Sequence, residues 1–208
     1  MKNYTYVGIS FIVLIFGILV IPNIVARFKK SDLMVVGRVP QFELTDQNNK
    51  TITQKDYDGK VYAVEFFFST CPTICPIMKD NMLKLQTEFY ANQSFGIASI
   101  SIDPKNDTVE ALKAYGERIG VKIPNWHLLT GDGQYVYNLA EKDFKLNAGV
   151  DPNAPGGFYH SGSICIIDKE GNIRSRKDDY GNPIVYYDGL TAEGLKMLKQ
   201  DIKKLLAE

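Results

Sequence analysis

Val61-Tyr62-Ala63-Val64-Glu65-Phe66-Phe67-Phe68-Ser69-Thr70-Cys71-Pro72-Thr73-Ile74-Cys75-Pro76 is the stretch on which the reading of this 208-residue chain turns. Its first eight residues are rich in aromatic and β-branched types and mostly apolar on both faces. That is the pattern of a strand buried at the centre of a sheet. Ile77, Met78, Met82, Leu85 and Phe89 then recur at helical spacing, and Pro76 suits a first helical turn, where a missing N–H costs little. Between strand and helix lies a loop that delivers two thiols, Cys71 and Cys75, to a helix N-terminus.

Working outward, residues 41–46 alternate apolar and polar, residues 47–50 form a turn and residues 51–53 resume the alternation, which predicts a β-hairpin. Residues 31–38 read as a short bridge into the body. Downstream, residues 95–102 form an apolar strand ended by Asp103-Pro104, and Asp107-Thr108 caps a helix carrying Val109, Leu112, Tyr115 and Ile119. Residues 126–130 read as a short strand and 135–144 as a helix. Residues 151–157, Asp-Pro-Asn-Ala-Pro-Gly-Gly, are a turn-rich loop. Residues 163–167 and 172–176 pair as a hairpin around Asp168-Lys169-Glu170-Gly171. Thr191 caps a last helix with Leu195, Leu198, Ile202 and Leu205 on one stripe. Strands alternating with helices predict an α/β fold: a central mixed β-sheet flanked by helices, with the N-terminal β-hairpin added.

Lys+Arg and Asp+Glu are equal at 24 each, but this balance averages two unlike parts. Residues 1–30 hold four basic residues, Lys2, Arg27, Lys29 and Lys30, and no acidic one. The rest carries 20 basic against 24 acidic side chains. No basic face is available to neutralise phosphates, so nucleic-acid binding is set aside. No residue between Lys2 and Arg27 is charged, Tyr4 and Tyr6 stand at one end of the run, and its length suits a bilayer core. Residues 1–30 are therefore expected to be a retained single-pass membrane anchor with a basic flank, followed by a linker (31–37) and the main domain (38–208). A cleaved signal peptide is the alternative; Ile24-Val25-Ala26 is a poor cleavage site for it. The flanking charges favour a cytoplasmic body by only one positive charge, and the thiol chemistry argues for the opposite side.

Cys71 and Cys75 sit where free N–H groups and the helix dipole favour thiolate. Such a pair is able to converge on one soft metal ion or to close a small-ring disulfide. Structural zinc usually takes four ligands from paired motifs, and only three cysteines exist. Cys165, between Ile164 and Ile166 in a strand, reads as a buried structural thiol. Of the two histidines, His127 beside Trp126 reads as a packed side chain. His160 follows the turn-rich loop and enters a strand, where it is a candidate third ligand. Two thiolates and an imidazole suit copper. Met78 and Met82 read as apolar helix face, and Asp103 as either an outer-shell group or a turn residue.

The pieces Phe42-Glu43-Leu44-Thr45-Asp46, Gly59-Lys60-Val61, residues 67–76, Ser101-Ile102-Asp103-Pro104 followed by Asp107-Thr108, Leu129-Thr130-Gly131, and His160-Ser161 leading to residues 166–171 together resemble the Sco (SenC-type) copper-binding proteins of cytochrome c oxidase assembly. The resemblance covers residues 38–206. It implies a thioredoxin-like fold on a single N-terminal transmembrane helix in a bacterial cytoplasmic membrane, with the soluble domain on the periplasmic or extracytoplasmic side. It implies copper, Cu(I) or Cu(II), held by Cys71, Cys75 and His160, taken from a copper donor protein and delivered to oxidase subunit II or another exported copper protein. Many members have an acidic residue before the histidine, where Tyr159 stands here. A chaperone that binds and transfers metal is thus expected rather than an enzyme with turnover. The competing expectation is a thiol–disulfide oxidoreductase, with Cys71 as nucleophile and Cys75 as resolver. Peroxide reduction is disfavoured because Phe68 stands where that chemistry usually wants a threonine.

Overall fold

The computed structural model describes the backbone of residues 5–28, 31–146 and 148–208, and the side chains of residues 6–21, 31–146, 148–159 and 161–208. The chain divides into two units, one of the N-terminal segment to Asp32 with Ala207–Glu208, the other a body over Leu33–Leu206. The first contains helix α1 (Thr5–Phe28), 24 residues long. Its 16 described side chains, at positions 6–21, are almost all exposed. A span needs about 20 apolar positions, and among the described residues no helix is long and apolar enough to cross a membrane. The side chains of the expected basic flank at Arg27, Lys29 and Lys30 lie outside the described residues.

The body is built on one mixed sheet. Its strands are β1 (Met34–Arg38), β2 (Glu43–Asp46), β3 (Thr51–Thr53), β4 (Val61–Phe67), β5 (Phe95–Ser101), β6 (Trp126–Thr130), β9 (Ser163–Ile167) and β10 (Asn172–Ser175), in the order β1-β10-β9-β4-β5-β6-β2-β3. Strands β4, β5 and β6 are parallel, and β9 returns antiparallel to β4, with Val64 opposite Cys165. Every residue of β4 and of β5 is buried, so both faces at the centre of the sheet are covered, as their continuous apolar runs require. Helices α2 (Cys75–Phe89), α3 (Val109–Ile119) and α5 (Ala192–Ala207) each bury one stripe: Met78, Met82, Leu85 and Phe89 on α2, and Leu195, Leu198, Ile202 and Leu205 on α5. Ile77 is the exception on α2, 48% exposed.

The turns follow from aspartate chemistry. Asp46 Oδ1 accepts from the N–H groups of Asn48 (2.8 Å) and Lys50 (2.9 Å), closing the β2–β3 hairpin. Asp168 Oδ1 does the same for Glu170 and Asn172 between β9 and β10. Helix α3 starts under Thr108, whose Oγ1 accepts from Ala111 N–H (3.3 Å). It ends at Gly120, whose φ of 85° favours glycine.

Several expectations need correction. Residues 31–38 are not a bridge: Met34–Arg38 is edge strand β1, antiparallel to β10 with an irregularity between Val35 and Gly37. The body therefore starts at Leu33 rather than at 38. The sequence Met-Val-Val-Gly-Arg alternates too poorly to announce a strand, and its partner lies far along the chain. The helix expected over 135–144 is α4 (Gly133–Asn138), capped by Asp132, running into a wider π-helical turn at Leu139–Asp143. The turn-rich loop 151–157 is the tip of a separate two-stranded ribbon, β7 (Ala148–Val150) with β8 (Phe158–His160). A short strand, β11 (Tyr187–Asp188), adds to β9.

Edge strand β1 is tied in by a buried ion pair. Arg174 Nη1 lies 2.8 Å from Asp168 Oδ2, and Nη2 donates to the carbonyl of Leu33 (3.0 Å), itself 5% exposed. A chain beginning at residue 39 loses both the burial of Leu33 and an acceptor for a buried guanidinium. It should be less stable than a chain beginning at 31 by about 3 kcal/mol. Coincident urea unfolding curves for the two chains would show that β1 is not part of the folded body.

Candidate functional site

Cys71 and Cys75 lie at the junction of β4 and α2, both buried. The loop is fixed from beneath by Asp107, a carboxylate with no exposed surface. Asp107 Oδ2 accepts from Ser69 N–H (3.0 Å) and from Ser101 Oγ (2.5 Å), and Oδ1 accepts from Ser69 Oγ. One side chain thus ties the residue two before Cys71 to the end of β5. Sequence reasoning gave Asp107 a share in capping α3; Thr108 alone provides that cap. A serine shortly before the cysteines and an Asp after Asp103-Pro104 were the available signal. Asp103 is buried and accepts from Asn106 N–H and Nδ2, which makes it a turn residue.

The two thiols are not equivalent. Burial pushes the Cys71 thiol up, but hydrogen bonds from the Cys75 thiol, from the Thr73 and Cys75 N–H groups and from the Thr73 hydroxyl outweigh it. They hold Cys71 below the ordinary thiol value. The Thr73 hydroxyl lies 3.6 Å from Cys71 Sγ. Cys75, the first residue of α2, is pushed well up, chiefly by burial. The helix N-terminus was expected to favour thiolate at both positions. Burial defeats that at Cys75, because a charged sulfur loses more hydration there than the dipole returns.

Beneath Cys75 is a cavity of about 10 Å³, lined also by Glu65, Ser99 and Trp126, at the lower limit for one water molecule. Glu65 is 4% exposed. Its Oε1 accepts from Ser99 Oγ (2.6 Å), which in turn accepts from Trp126 Nε1 (3.0 Å), while Oε2 has no hydrogen-bond partner among the described residues. Burial pushes its carboxyl up to about 7, against the opposing effect of the Ser99 bond. Glu65 stands in an otherwise apolar central strand, and only its neighbours reveal an acid sharing a cavity with a thiol.

The β7–β8 ribbon comes down on the cysteine loop. Phe158 packs on Phe68 with ring centroids 5.2 Å apart. At the ribbon tip, Gly156 has φ 87°, and a Cβ there would stand 2.9 Å from the Phe68 ring and 3.4 Å from Pro72 Cδ. Only glycine fits so close. His160 ends β8 with its backbone opposite Ala148, two residues beyond Phe158. Its side chain lies outside the described residues. Among the described residues no three His, Cys, Asp or Glu side chains gather into a metal-binding group. The donor set nonetheless fits a soft metal: two adjacent sulfurs, one of them held below the ordinary thiol value.

The other candidates fall as read. Cys165 has no exposed surface, and burial pushes its thiol up to about 12. His127 packs edge-on to Tyr57, and its Nδ1 lies 3.2 Å from Asp46 Oδ2; burial holds its pKa down despite that carboxylate. Met78 and Met82 are core.

A mixed sheet whose central strand hands two thiols to a helix start, with a ribbon folded over them, defines a thioredoxin-like α/β protein of the thiol or metal-handling kind. The SCO1/SenC family profile matches residues 36–192, and the chain belongs to that family. It is 30% identical over 157 residues to the SCO1 protein homolog of Bacillus subtilis (strain 168), covering 74% of this chain and 80% of that one. It is 25% identical to a putative copper-binding protein of Stutzerimonas stutzeri over 65% of this chain and 67% of the relative. Its fold superposes with a TM-score of 0.69, at 26% identity over 86% of this chain and 97% of the other, on the solved structure of BsSco. BsSco is described as a member of the Sco family of cytochrome c oxidase assembly proteins in which a disulfide switch was identified.

Glu65 has a stability consequence. The folded state holds its proton more tightly than the unfolded chain does. The associated stabilisation is complete below the unfolded carboxyl value and disappears as pH rises through about 7. Between pH 5 and pH 8 the wild-type domain should lose about 2 kcal/mol relative to Glu65→Gln, which keeps the Ser99 bond but cannot ionise. Parallel stability–pH curves for the two proteins would remove the assignment.

Proposed function

We propose that this chain is a membrane-anchored copper chaperone of cytochrome c oxidase assembly, in which Cys71, Cys75 and His160 hold the metal. The observation that carries the reading is the hydrogen-bonded, unequal thiol pair at the start of α2, in a chain of the SCO1/SenC family. The name of the Stutzerimonas stutzeri relative as a putative copper-binding protein supports the choice of metal. Copper is cargo, and what the chain does with it follows from its own side chains. Cys71, held below the ordinary thiol value, supplies the first sulfur. Cys75 must lose its proton to supply the second, so loading releases a proton from a buried position. His160, on the ribbon that covers the loop, is the third donor. Its neighbour Tyr159 hydrogen-bonds Glu141 at 2.5 Å, so the acidic group that family members often carry before the histidine is replaced by a tyrosine–glutamate pair.

The recipient is the dinuclear copper centre of oxidase subunit II or another exported copper protein, and a donor protein loads the site. The unequal thiols also favour a second reading, a thiol–disulfide oxidoreductase acting on the cysteines of that centre. The more acidic Cys71 and the less acidic Cys75 suit the roles of attacking and resolving sulfur. The two readings separate at His160. In anaerobic titrations of residues 31–208, one equivalent of copper should bind to the wild type and be lost in Cys71→Ser and Cys75→Ser. His160→Ala should weaken it by about tenfold or more, or 1.4 kcal/mol. Wild-type affinity in His160→Ala would overturn the three-ligand site and leave the thiol reading.

The apolar run ahead of the body supports anchoring to a bacterial cytoplasmic membrane, and the thiol chemistry favours a domain on the outside, where exported copper proteins are assembled. On alkaline carbonate extraction the full chain should stay with the membrane pellet and a chain from residue 31 should not. Protease added to intact spheroplasts should digest the body. Release by carbonate, or protection from the protease, would defeat the anchor or its orientation.

A further inference from the structure

Beside the thiols, between α2 and α3, runs an open cleft of about 390 Å³. Cys71 and Cys75 stand at one end, and Leu83 of α2 with Ile119 of α3 supply apolar wall. Two cations, Lys79 and Arg118, line it, and no carboxylate does. Lys79 is paired with Asp80 at 3.0 Å. Arg118 is different: its guanidinium lies over the Tyr115 ring, 5.2 Å from the centroid, and it forms no ion pair or hydrogen bond among the described residues. The ring that holds it also lines the cleft. A guanidinium held by an aromatic face keeps its fork of N–H donors available for a carboxylate. The rest of the body carries a negative excess, 20 basic against 24 acidic residues outside positions 1–30. A cleft with only cationic charge is therefore a local reversal, placed at the thiols.

We propose that this cleft docks an extended segment of the recipient protein in which a cysteine is neighboured by carboxylates, Arg118 taking a carboxylate while the segment's cysteine meets Cys71. The inference rests on the reading of Cys71 and Cys75 as the transfer site, and it adds the chemistry of what approaches them. A segment suits the cleft better than a small anionic thiol does. The small molecule reaches Arg118 and Cys71 but leaves Leu83 and Ile119 uncovered, whereas a chain lying along the cleft buries them too. The attraction is short-ranged because the charges are exposed and salt screens them beyond roughly 8 Å. It selects partners at contact rather than steering them from afar.

The test uses the reduced, metal-free full chain in mild detergent and end-blocked peptides whose single cysteine carries a thionitrobenzoate group. The Cys71 thiolate attacks the peptide sulfur, a new protein–peptide disulfide forms, the old disulfide breaks and the thionitrobenzoate anion leaves with its electron pair and is read by absorbance. Wild type should react about tenfold faster with an Asp-Cys-Asp peptide than with its Lys-Cys-Lys counterpart, which corresponds to about 1.4 kcal/mol. Arg118→Ala should bring the ratio close to one, and Arg118→Lys should retain part of it. An uncharged small-molecule thionitrobenzoate disulfide should react equally with wild type and Arg118→Ala. Equal peptide rates in wild type would overturn the proposal, as would an equal loss with the uncharged probe, which would mean that Arg118 acts on the thiol itself. Mercaptoacetate thionitrobenzoate showing the full Arg118 dependence would assign the cleft to small anionic thiols and overturn the segment. Copper titration of the same samples reads the transfer-site assignment separately. Loss of copper binding in wild type with the peptide preference intact would defeat that assignment and leave the docking surface standing.

Discussion

The carboxylate of Asp107 is the constraint on which the thiol site depends. It lies at zero exposure between Ser69, in the loop leaving β4, and Ser101, at the end of β5, and accepts from both hydroxyls and from the Ser69 N–H. A buried carboxylate is stable only when its oxygens are satisfied. The two parallel strands and the start of the cysteine loop are therefore held in one relative position or the carboxylate is left without donors. The backbone carries the constraint onward: Cys71 N–H donates to the Phe68 carbonyl at 3.2 Å, turning the chain so that its sulfur meets Cys75. Loops at strand C-termini are where α/β sheets gather ligands. Here a single acid makes one such loop rigid.

Rigidity matters because the two sulfurs need different environments. Cys71 is surrounded by donors, while Cys75 is the first residue of a helix packed against the core. The helix dipole acts on both in the same direction. What separates them is hydration and the number of N–H and O–H groups aimed at each. Two adjacent sulfurs, one held below and one pushed above the ordinary thiol value, are a donor set suited to a soft cation. The same asymmetry serves an attacking and a resolving thiol. Metal handling and disulfide chemistry are thus both compatible with one arrangement of the two sulfurs.

Much of this was legible in the chain. The β2–β3 hairpin, the buried β4 and β5, the helix after Pro76 and the β9–β10 hairpin follow from apolar periodicity and from Asp and Gly at turns, because those signals are local. The thiol pair was legible for the same reason, as were Cys165, His127 and the two methionines as packed side chains. Strand β1 was not, since Met34–Arg38 becomes a strand only by pairing with β10 more than 130 residues away. The β7–β8 ribbon escaped for a related reason: its loop is rich in turn formers, and its short strands exist by pairing with each other and packing on Phe68.

The sequence by itself determined the α/β order, the family resemblance, the cysteine pair and the separation of a basic, apolar N-terminal segment from an acidic body. Each of these is written in neighbouring residues or in the order of motifs. Tertiary structure alone decided that Asp107 braces the loop, that Glu65 shares a cavity with Cys75, that the Cys75 thiol is pushed up while the Cys71 thiol is held down, and that Arg118 lies over the Tyr115 ring, without an ion pair among the described residues. Those properties depend on which groups become neighbours and how much water is removed from around them. Burial and hydrogen-bond geometry are set by contacts between distant parts of the chain, and no local pattern contains them.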